Sequence, residues 1–210
     1  MAFKLGQSGP EQSPEQSPRP ENSKKSADNP WIEALQTVGL SIVLALGVRT
    51  FVAEARYIPS GSMLPTLEIN DRLVVEKISY HFNDPQRGDI VVFHPPAAAG
   101  AQFIKEAFIK RVIGLPGETV EVKNGKTYVN GQPLVENYIE SPPEYTWGPE
   151  TVPQGSYLML GDNRNNSDDG HVWGFLPSDR IIGRATIRFW PFNRLAYLAE
   201  PDYDPKAVAK

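Results

Sequence analysis

The segment Phe108-Ile109-Lys110-Arg111-Val112-Ile113-Gly114 contains two adjacent basic residues within an otherwise apolar run that is typical of a β-strand. Alternate residues of a strand share a face, so one or both basic side chains must lie among apolar neighbours. Desolvation disfavours the ammonium form, and a neutral lysine can accept a proton near neutral pH. Arginine does not deprotonate, so Lys110 rather than Arg111 is the candidate base. The pattern equally allows both side chains to reach solvent at a sheet edge.

A second segment offers a partner for such a base. Ser62 lies in a Ser/Gly/Pro turn bracketed by Pro59 and Pro65, and Gly61 allows the backbone a sharp bend. A turn of this kind exposes a hydroxyl and leaves backbone N–H groups free to face a developing oxyanion, to which Ser60 can add a hydroxyl. A serine and a neutral lysine suffice for a hydrolase without histidine. An ordinary loop is the alternative, and four apolar neighbours argue against a plain solvated one: Ile58, Met63, Leu64 and Leu67.

A third segment, 161–175, is rich in Asp, Asn, Ser and Gly. This composition is typical of a loop that forms its own hydrogen bonds between side chains and backbone. Its polar groups also offer partners for the basic residues: Asp162 and Asp169 for Arg111 and His171, and Ser167 for Lys110. A self-capped structural turn would explain the composition as well.

The N-terminal part of the chain predicts a tail and a membrane anchor. Residues 1–30 are rich in Ser, Pro, Gln, Glu and Lys, which favours a disordered tail. Residues 31–54 contain a mostly apolar stretch interrupted only near its end by Arg49, long enough for a transmembrane helix if Arg49 reaches the interface. Lys24 and Lys25 precede it, so we expect a single-pass protein with a cytoplasmic N-terminus. A signal peptide cleaved at Ala53-Glu54-Ala55 and a buried core helix are the alternatives.

The remainder predicts a mainly β protein: a convoluted all-β domain at 55–200 and a C-terminal tail at 201–210. Short apolar runs bounded by turn residues predict five strands, at 72–79, 89–94, 103–113, 156–160 and 180–190. Asn-Gly pairs at 124–125 and 130–131 flank a further strand, which indicates hairpins. Residues 135–154 are proline-rich and indicate a loop, and no convincing helix is predicted outside the anchor.

Composition excludes several kinds of chemistry. The chain of 210 residues has no cysteine, so thiol catalysis, disulfides and thiolate metal sites are excluded. Its three histidines are widely spaced and form no metal-ligand motif, so we expect neither a metal nor another cofactor. The net charge of −4 gives no indication of nucleic-acid binding.

Together these segments resemble the type I signal peptidases, membrane-bound enzymes that remove signal peptides from exported proteins. The resemblance extends from the apolar span to Phe192 and includes, in order, PSGSMLPTL (59–67), RLVVEKI (72–78), RGDIVVF (87–93), KRVIGLPG (110–117) and GDNRNNSDDGHVWGFLP (161–177). Each stretch is moderately specific, and all of them in this order are highly specific. The resemblance implies an all-β catalytic domain on the outer face of a plasma or thylakoid membrane, on the periplasmic or lumenal side.

Transferred position by position, the resemblance makes Ser62 the nucleophile and Lys110 the general base. It makes Ser60 an oxyanion-hole donor and Ser167 a hydrogen-bond partner that positions Lys110. Supporting roles fall to Arg111, Asp162 and Asp169.

The chain departs from the usual pattern at two positions. Gly170 stands where the family usually has a serine, and His171 replaces the arginine that is common in bacterial members. A histidine at this position resembles the cyanobacterial and chloroplast enzymes. The short stretch between the lysine segment and residue 161 also indicates that any second, capping subdomain is small.

We therefore expect a membrane-anchored serine endopeptidase that acts on precursors bearing signal peptides and cuts after small residues of an Ala-x-Ala site. If Ser62 and Lys110 meet, three apolar residues lie at the edges of the same cleft and are candidates for binding substrate: Ile58, Phe108 and Ile109. One alternative is a membrane-anchored β-domain that binds peptides without catalysis. Another is a serine–histidine hydrolase that uses His94 or His171.

Overall fold

The computed structural model describes residues 29–99 and 107–198. Almost all of the predicted N-terminal tail, and the whole of the predicted C-terminal tail, therefore lie outside the described residues. The chain divides into two compact units, one up to Leu40 and one from Ser41 onward.

An apolar helix, α1, comprises Pro30–Gly47 and continues as a turn of π-helix over Val48–Val52. Asn29 caps its start, because the Asn29 Oδ1 atom accepts the N–H of Trp31, and Pro30 occupies the first helical position. The 23 residues of Pro30–Val52 are long and apolar enough to cross a membrane, and none of the span is buried. That exposure does not fit the alternative of a buried core helix.

Twelve strands follow in the described part of the chain. They are β1 Ala53–Tyr57, β2 Arg72–Glu76, β3 Ile90–Phe93, β4 Phe108–Gly114, β5 Thr119–Lys123, β6 Lys126–Val129, β7 Gln132–Pro133, β8 Trp147–Thr151, β9 Ser156–Leu160, β10 Leu176–Pro177, β11 Ile181–Trp190 and β12 Ala196–Tyr197. One short helix, α2, comprises Gly170–Trp173, and single 3₁₀ turns lie at Ser79–His81, Ala97–Ala99, Ser178–Arg180 and Phe192–Arg194.

The larger sheet has eight strands in the order β1-β2-β11-β3-β4-β9-β10, with β12 paired to β11. All of its pairings are antiparallel. Strand β4 lies in the interior, between β3 and β9, so its side chains do not face solvent at a sheet edge. Its basic pair, Lys110 and Arg111, is 4% and 2% exposed, which excludes the predicted alternative in which both side chains reach solvent.

A smaller sheet of four strands has the order β7-β6-β5-β8 and belongs to the same compact unit as the larger sheet. Both Asn-Gly pairs form the expected hairpin turns, since Asn124 and Asn130 have φ angles of 50° and 52°, and the glycines that follow also have positive φ. Strand β8 lies within the region predicted to be a loop. The sheet accommodates its proline because β8 is an edge strand and leaves backbone groups without a ladder partner.

The mainly β architecture with one N-terminal apolar helix is confirmed. Several local expectations differ from the structure in detail, and two of these differences have a clear local cause. Strand β2 ends at Glu76 rather than at residue 79, because the Glu76 carboxylate accepts the N–H groups of Ile78 and Ser79 and turns the chain. The short helix α2 begins where the Asp169 side chain caps the N–H of His171, a signal that lay within the predicted self-capped loop.

Candidate active site

The side chains of Ser62 and Lys110 are both buried and lie within hydrogen-bonding distance of each other. The Lys110 Nζ atom lies 2.8 Å from Ser62 Oγ and donates a second hydrogen bond, of 3.1 Å, to the carbonyl of Ile109. Lys110 is contributed by the interior strand β4, whereas Ser62 is 9% exposed and lies in the turn that follows β1. A nucleophile and a base within hydrogen-bonding distance are the geometric requirement for a hydrolase with an amine base.

The turn that carries Ser62 is held by its own apolar residues. Met63 and Leu67 are fully buried in a cluster with residues of β2 and β3. The N–H of Leu67 donates to the carbonyl of Met63, so the turn is close to helical. Asn163 fixes it from the other side, because its backbone N–H donates to the Ser62 carbonyl and its side-chain amide donates to the Gly61 carbonyl. Apolar burial and hydrogen bonds thus position the hydroxyl.

The neighbour of Lys110 on β4 forms a buried ion pair. The Arg111 guanidinium donates to both carboxylate oxygens of Asp162, at 2.8 and 2.6 Å, and to the carbonyl of Gly88 at 2.8 Å. Thr66, from the serine turn, donates its hydroxyl to Asp162 Oδ2 at 2.5 Å. The Tyr138 ring covers the guanidinium at 4.1 Å. One carboxylate therefore joins β4, the serine turn and the loop after β9.

Asp169 holds the other end of that loop. Its Oδ2 atom accepts the N–H of Gly161 at 2.8 Å, and its Oδ1 atom lies 2.7 Å from Nδ1 of His171. The imidazole stacks on the Tyr145 ring with a centroid distance of 4.2 Å. His171 is thus engaged with Asp169, and Lys110 is the base that contacts Ser62. His94 is exposed, and its backbone N–H donates to the carbonyl of Arg180.

The two remaining predicted hydroxyls lie in different settings. Ser60 is exposed and lines the same cavity as Ser62 and Lys110. The Ser167 Oγ atom is buried and has no hydrogen-bond partner among the described residues, so the predicted bond to Lys110 is not formed in this structure. It nevertheless lies beside the site, because a Cβ atom added to Gly161 would overlap both Ser167 Oγ and the Ser62 carbonyl.

Two adjoining cavities lie at this cleft, and Ser62 and Lys110 line the larger of the two. The larger, of about 520 Å³, is lined by Pro59, Ser60, Gly61, Ser62, Ala107, Phe108, Ile109, Lys110, Asn166 and Asp168. The smaller, of about 200 Å³, is lined by Arg56, Tyr57, Ile58, Pro59, Val92, Ala107, Phe108 and Ile109. All three residues predicted to bind substrate line this smaller cavity.

Burial shifts the proton equilibrium of the base. Desolvation lowers the pKa of Lys110 from its ordinary value of 10.5 to about 8, against the opposing effect of Asp169, Asp168 and Asp162. The amine can therefore lose its proton under mildly alkaline conditions. No group of three or more metal-ligating side chains occurs within residues 29–99 and 107–198.

Several residues that complete the site had no signal in the sequence. Thr66 is one of them, and a buried ion pair between Arg164 and Glu136 is another. Arg164 also donates to the carbonyl of Gly161 and to the hydroxyl of Thr127 on β6, so it ties the smaller sheet to the loop. These contacts join segments that are distant in the chain, and no local pattern indicates them.

Comparisons with known proteins identify the family. The family described as "Signal peptidase, peptidase S26" matches residues 31–190. A signal peptidase I from Leptolyngbya laminosa is 66% identical over 185 residues, which cover 87% of this chain and 91% of that protein. A probable signal peptidase I-2 from Synechocystis sp. is 56% identical over 191 residues, covering 90% and 87%. A probable chloroplastic thylakoidal processing peptidase 2 from Arabidopsis thaliana is 41% identical over 158 residues, covering 74% and 43%.

The mainly β fold and the family match thus define a peptidase whose N-terminal part forms an apolar helix. Because the family match extends over most of the chain, the chain belongs to the signal peptidase, peptidase S26, family. The predicted resemblance is confirmed, including that to cyanobacterial and chloroplast proteins, and so is the prediction of a signal peptidase. The same relatives and the apolar helix support a membrane-anchored protein.

We expect the Lys110 amine to titrate near pH 8, because burial disfavours its charged form. Below that pH the ammonium form dominates, and above it the neutral amine does. Nuclear magnetic resonance of protein labelled at the lysine Cε positions measures the titration, and the signal absent from a Lys110→Met variant identifies the residue. A Lys110 signal that titrates like that of an exposed lysine would contradict the expected desolvation.

Proposed function

We propose that Ser62 and Lys110 are the nucleophile and the general base of this signal peptidase. The 2.8 Å contact between the hydroxyl of Ser62 and a buried amine whose pKa is lowered to about 8 supports the assignment. As a signal peptidase, the chain removes N-terminal signal peptides from precursor proteins. The contact carries the proposal because it provides the nucleophile and the base of an acyl transfer without a third residue.

The reaction follows from this arrangement. Neutral Lys110 takes the proton of the Ser62 hydroxyl as Oγ attacks the scissile carbonyl and forms a tetrahedral intermediate. Backbone N–H groups of the serine turn and the hydroxyl of Ser60 stabilise the oxyanion. The ammonium of Lys110 returns its proton to the departing amine, and the acyl-enzyme forms. Water, deprotonated by Lys110, then hydrolyses the ester and releases the signal peptide with a free carboxylate.

Four further side chains support the pair through contacts rather than by touching substrate. Asp162 accepts hydrogen bonds from both Arg111 on β4 and Thr66 in the serine turn, and so fixes β4 relative to that turn. Asp169 holds the backbone of Gly161, which contacts both the Ser62 carbonyl and Ser167. We assign Ser167 to the wall of the site, where a rotation of its free hydroxyl brings it toward Lys110 when substrate is bound.

The smaller cavity is the proposed binding site for the residue that precedes the cut. Its volume of about 200 Å³ and its branched and aromatic lining suit a small apolar side chain better than a large one. This agrees with cutting after the small residues of an Ala-x-Ala site.

We also propose an orientation for the chain in the membrane. Lys24 and Lys25 precede the apolar span, which favours a cytoplasmic N-terminus and a catalytic domain across a plasma or thylakoid membrane, on the periplasmic or lumenal side. The rival cleavage site, Ala53-Glu54-Ala55, lies in β1, where all three residues are paired with β2. Cleavage there would sever a strand of the larger sheet, which favours a retained, single-pass anchor.

A module that binds peptides without catalysis would have the same cleft but would not depend on the hydroxyl of Ser62. We expect Ser62→Ala and Lys110→Met each to lower cleavage by at least about a thousandfold, because the nucleophile and the base act as one unit. His171→Ala should retain most activity. Purified protein in detergent, incubated with a precursor bearing an Ala-x-Ala site, measures this. If His171→Ala were as inactive as Ser62→Ala, the lysine would not be the base.

The pocket assignment predicts the preference for the residue before the cut. Alanine should be favoured, glycine and serine cut more slowly, and phenylalanine rejected, because overpacking a formed pocket strains it. Ile58→Ala and Ile109→Ala should each raise the relative rate for larger residues. Ile90→Ala is the matched control, since Ile90 is buried in the same cluster but does not line the pocket. Equal rates for alanine and phenylalanine substrates in the unmodified protein would refute the assignment.

The proposed orientation predicts which part of the chain a protease can reach. Protease added to the outer face of sealed cells or vesicles should digest the β domain and leave the N-terminal residues protected. Immunoblotting for tags at the two ends measures this. Sequencing of the mature N-terminus tests the rival: a start at Arg56 would mean that the span is removed as a signal peptide.

A further inference from the structure

An exposed carboxylate, Asp168, lies in the wall of the larger cavity beside the catalytic pair. Among the described residues that line this cavity, Lys110 and Asp168 are the two with ionisable side chains. The reaction requires Lys110 to be a neutral amine. In that state Asp168 is the one charged side chain among the described residues that line the cavity. The part of the cavity wall formed by described residues is then negative.

The carboxylate of Asp168 has no ion-pair partner among the residues that the structure describes. Three carboxylates act on Lys110, and two of them are paired: Asp162 with Arg111, and Asp169 with His171 and the N–H of Gly161. Asp168 forms no hydrogen bond or ion pair with residues 29–99 or 107–198. Burial lowers the pKa of Lys110, and Asp168 is one of the groups that oppose this effect, so its field reaches the reacting amine. A substrate charge in the same cavity experiences that field too.

Position in the cleft determines which part of the substrate is affected. The smaller cavity, assigned above to the residue before the cut, is lined by Ile58 and Phe108 but not by Asp168. Ser62, Lys110, Asn166 and Asp168 all line the larger cavity. In the proposed reaction Lys110 delivers the proton to the departing amine, so we infer that this cavity receives the residues that follow the scissile bond.

We propose that Asp168 is a specificity-determining residue that selects substrates by the charge of the first residues after the cut. It disfavours aspartate and glutamate there and favours lysine and arginine. The inference rests on the proposed function of Ser62 and Lys110, since their positions define the direction of the substrate.

The test uses the full-length protein in detergent and peptides that differ only in the first two residues after the cut: alanine, lysine or aspartate. The ratio of kcat/KM for the lysine peptide to that for the aspartate peptide should exceed one in the unmodified protein. In Asp168→Asn the ratio should fall by about three- to fivefold, as expected for charges interacting through partly screened solvent. Asp168→Glu should preserve the ratio, and Asp168→Lys should invert it.

Asp179→Asn is the matched control. Asp179 is also an exposed aspartate of the same domain, but it lines a different cavity, so its removal should leave the ratio unchanged. Added salt should reduce the ratio in the unmodified protein and have little effect in Asp168→Asn. An identical ratio in the unmodified protein and in Asp168→Asn overturns the proposal, and so does an equal fall in Asp179→Asn.

A binding measurement separates this proposal from the proposed function. In the Ser62→Ala protein the same peptides bind without being cut, and the ratio of their Kd values should change on adding Asp168→Asn. If the Ser62→Ala protein still cut the peptides while the binding ratio depended on Asp168, the assignment of the catalytic pair would be wrong and the charge selection would stand. Binding that is insensitive to both peptide charge and Asp168 would overturn the charge selection alone.

Discussion

The buried ion pair between Arg111 and Asp162 is the interaction on which the geometry of the site depends. Both side chains are almost inaccessible to solvent, at 2% and 0% exposure, and the pair has two hydrogen bonds. Removing one partner of such a pair leaves an uncompensated buried charge and costs about 3–5 kcal/mol. Because Asp162 also accepts the Thr66 hydroxyl, one carboxylate fixes β4 relative to the turn that carries Ser62. The 2.8 Å contact between Lys110 and Ser62 depends on this fixed position of β4 relative to the turn.

Lys110 and Arg111 are adjacent on β4, and their buried charges are accommodated in different ways. Arg111 is charged at every relevant pH, so its burial requires a partner of opposite charge and several hydrogen bonds. Lys110 is buried without a direct ion pair, and the result is a pKa lowered to about 8. The nearby carboxylates limit this shift, since each favours the ammonium form. Desolvation and nearby charge therefore oppose each other, and the amine can change its protonation state under mildly alkaline conditions.

The smaller sheet contributes to the site although it carries none of the reacting groups. The Arg164–Glu136 pair connects the segment after β7 with the loop of residues 161–169. The centroid of the Tyr138 ring lies 4.1 Å from the guanidinium carbon of Arg111 and 5.9 Å from that of Arg164. These contacts make the second sheet a support for the loop that fixes Ser62 from behind. This explains how a small subdomain without catalytic groups can matter to a reaction in the larger one.

The sequence by itself determined the apolar span, the mainly β body and both Asn-Gly turns, because these depend on local composition, on turn chemistry and on the two-residue period of a strand. It also made Ser62 and Lys110 candidates for the reacting pair, while an ordinary loop and a solvent-exposed lysine remained open, and the family resemblance then implied their roles. The order of the strands, and with it the burial of both Lys110 and Arg111, was decided by tertiary structure, since a strand pattern does not distinguish an interior position from an edge. The roles of Thr66 and Glu136, and the free hydroxyl of Ser167, were likewise decided there. Each depends on contacts between segments far apart in the chain, as does the meeting of Ser62 with a lysine 48 positions away.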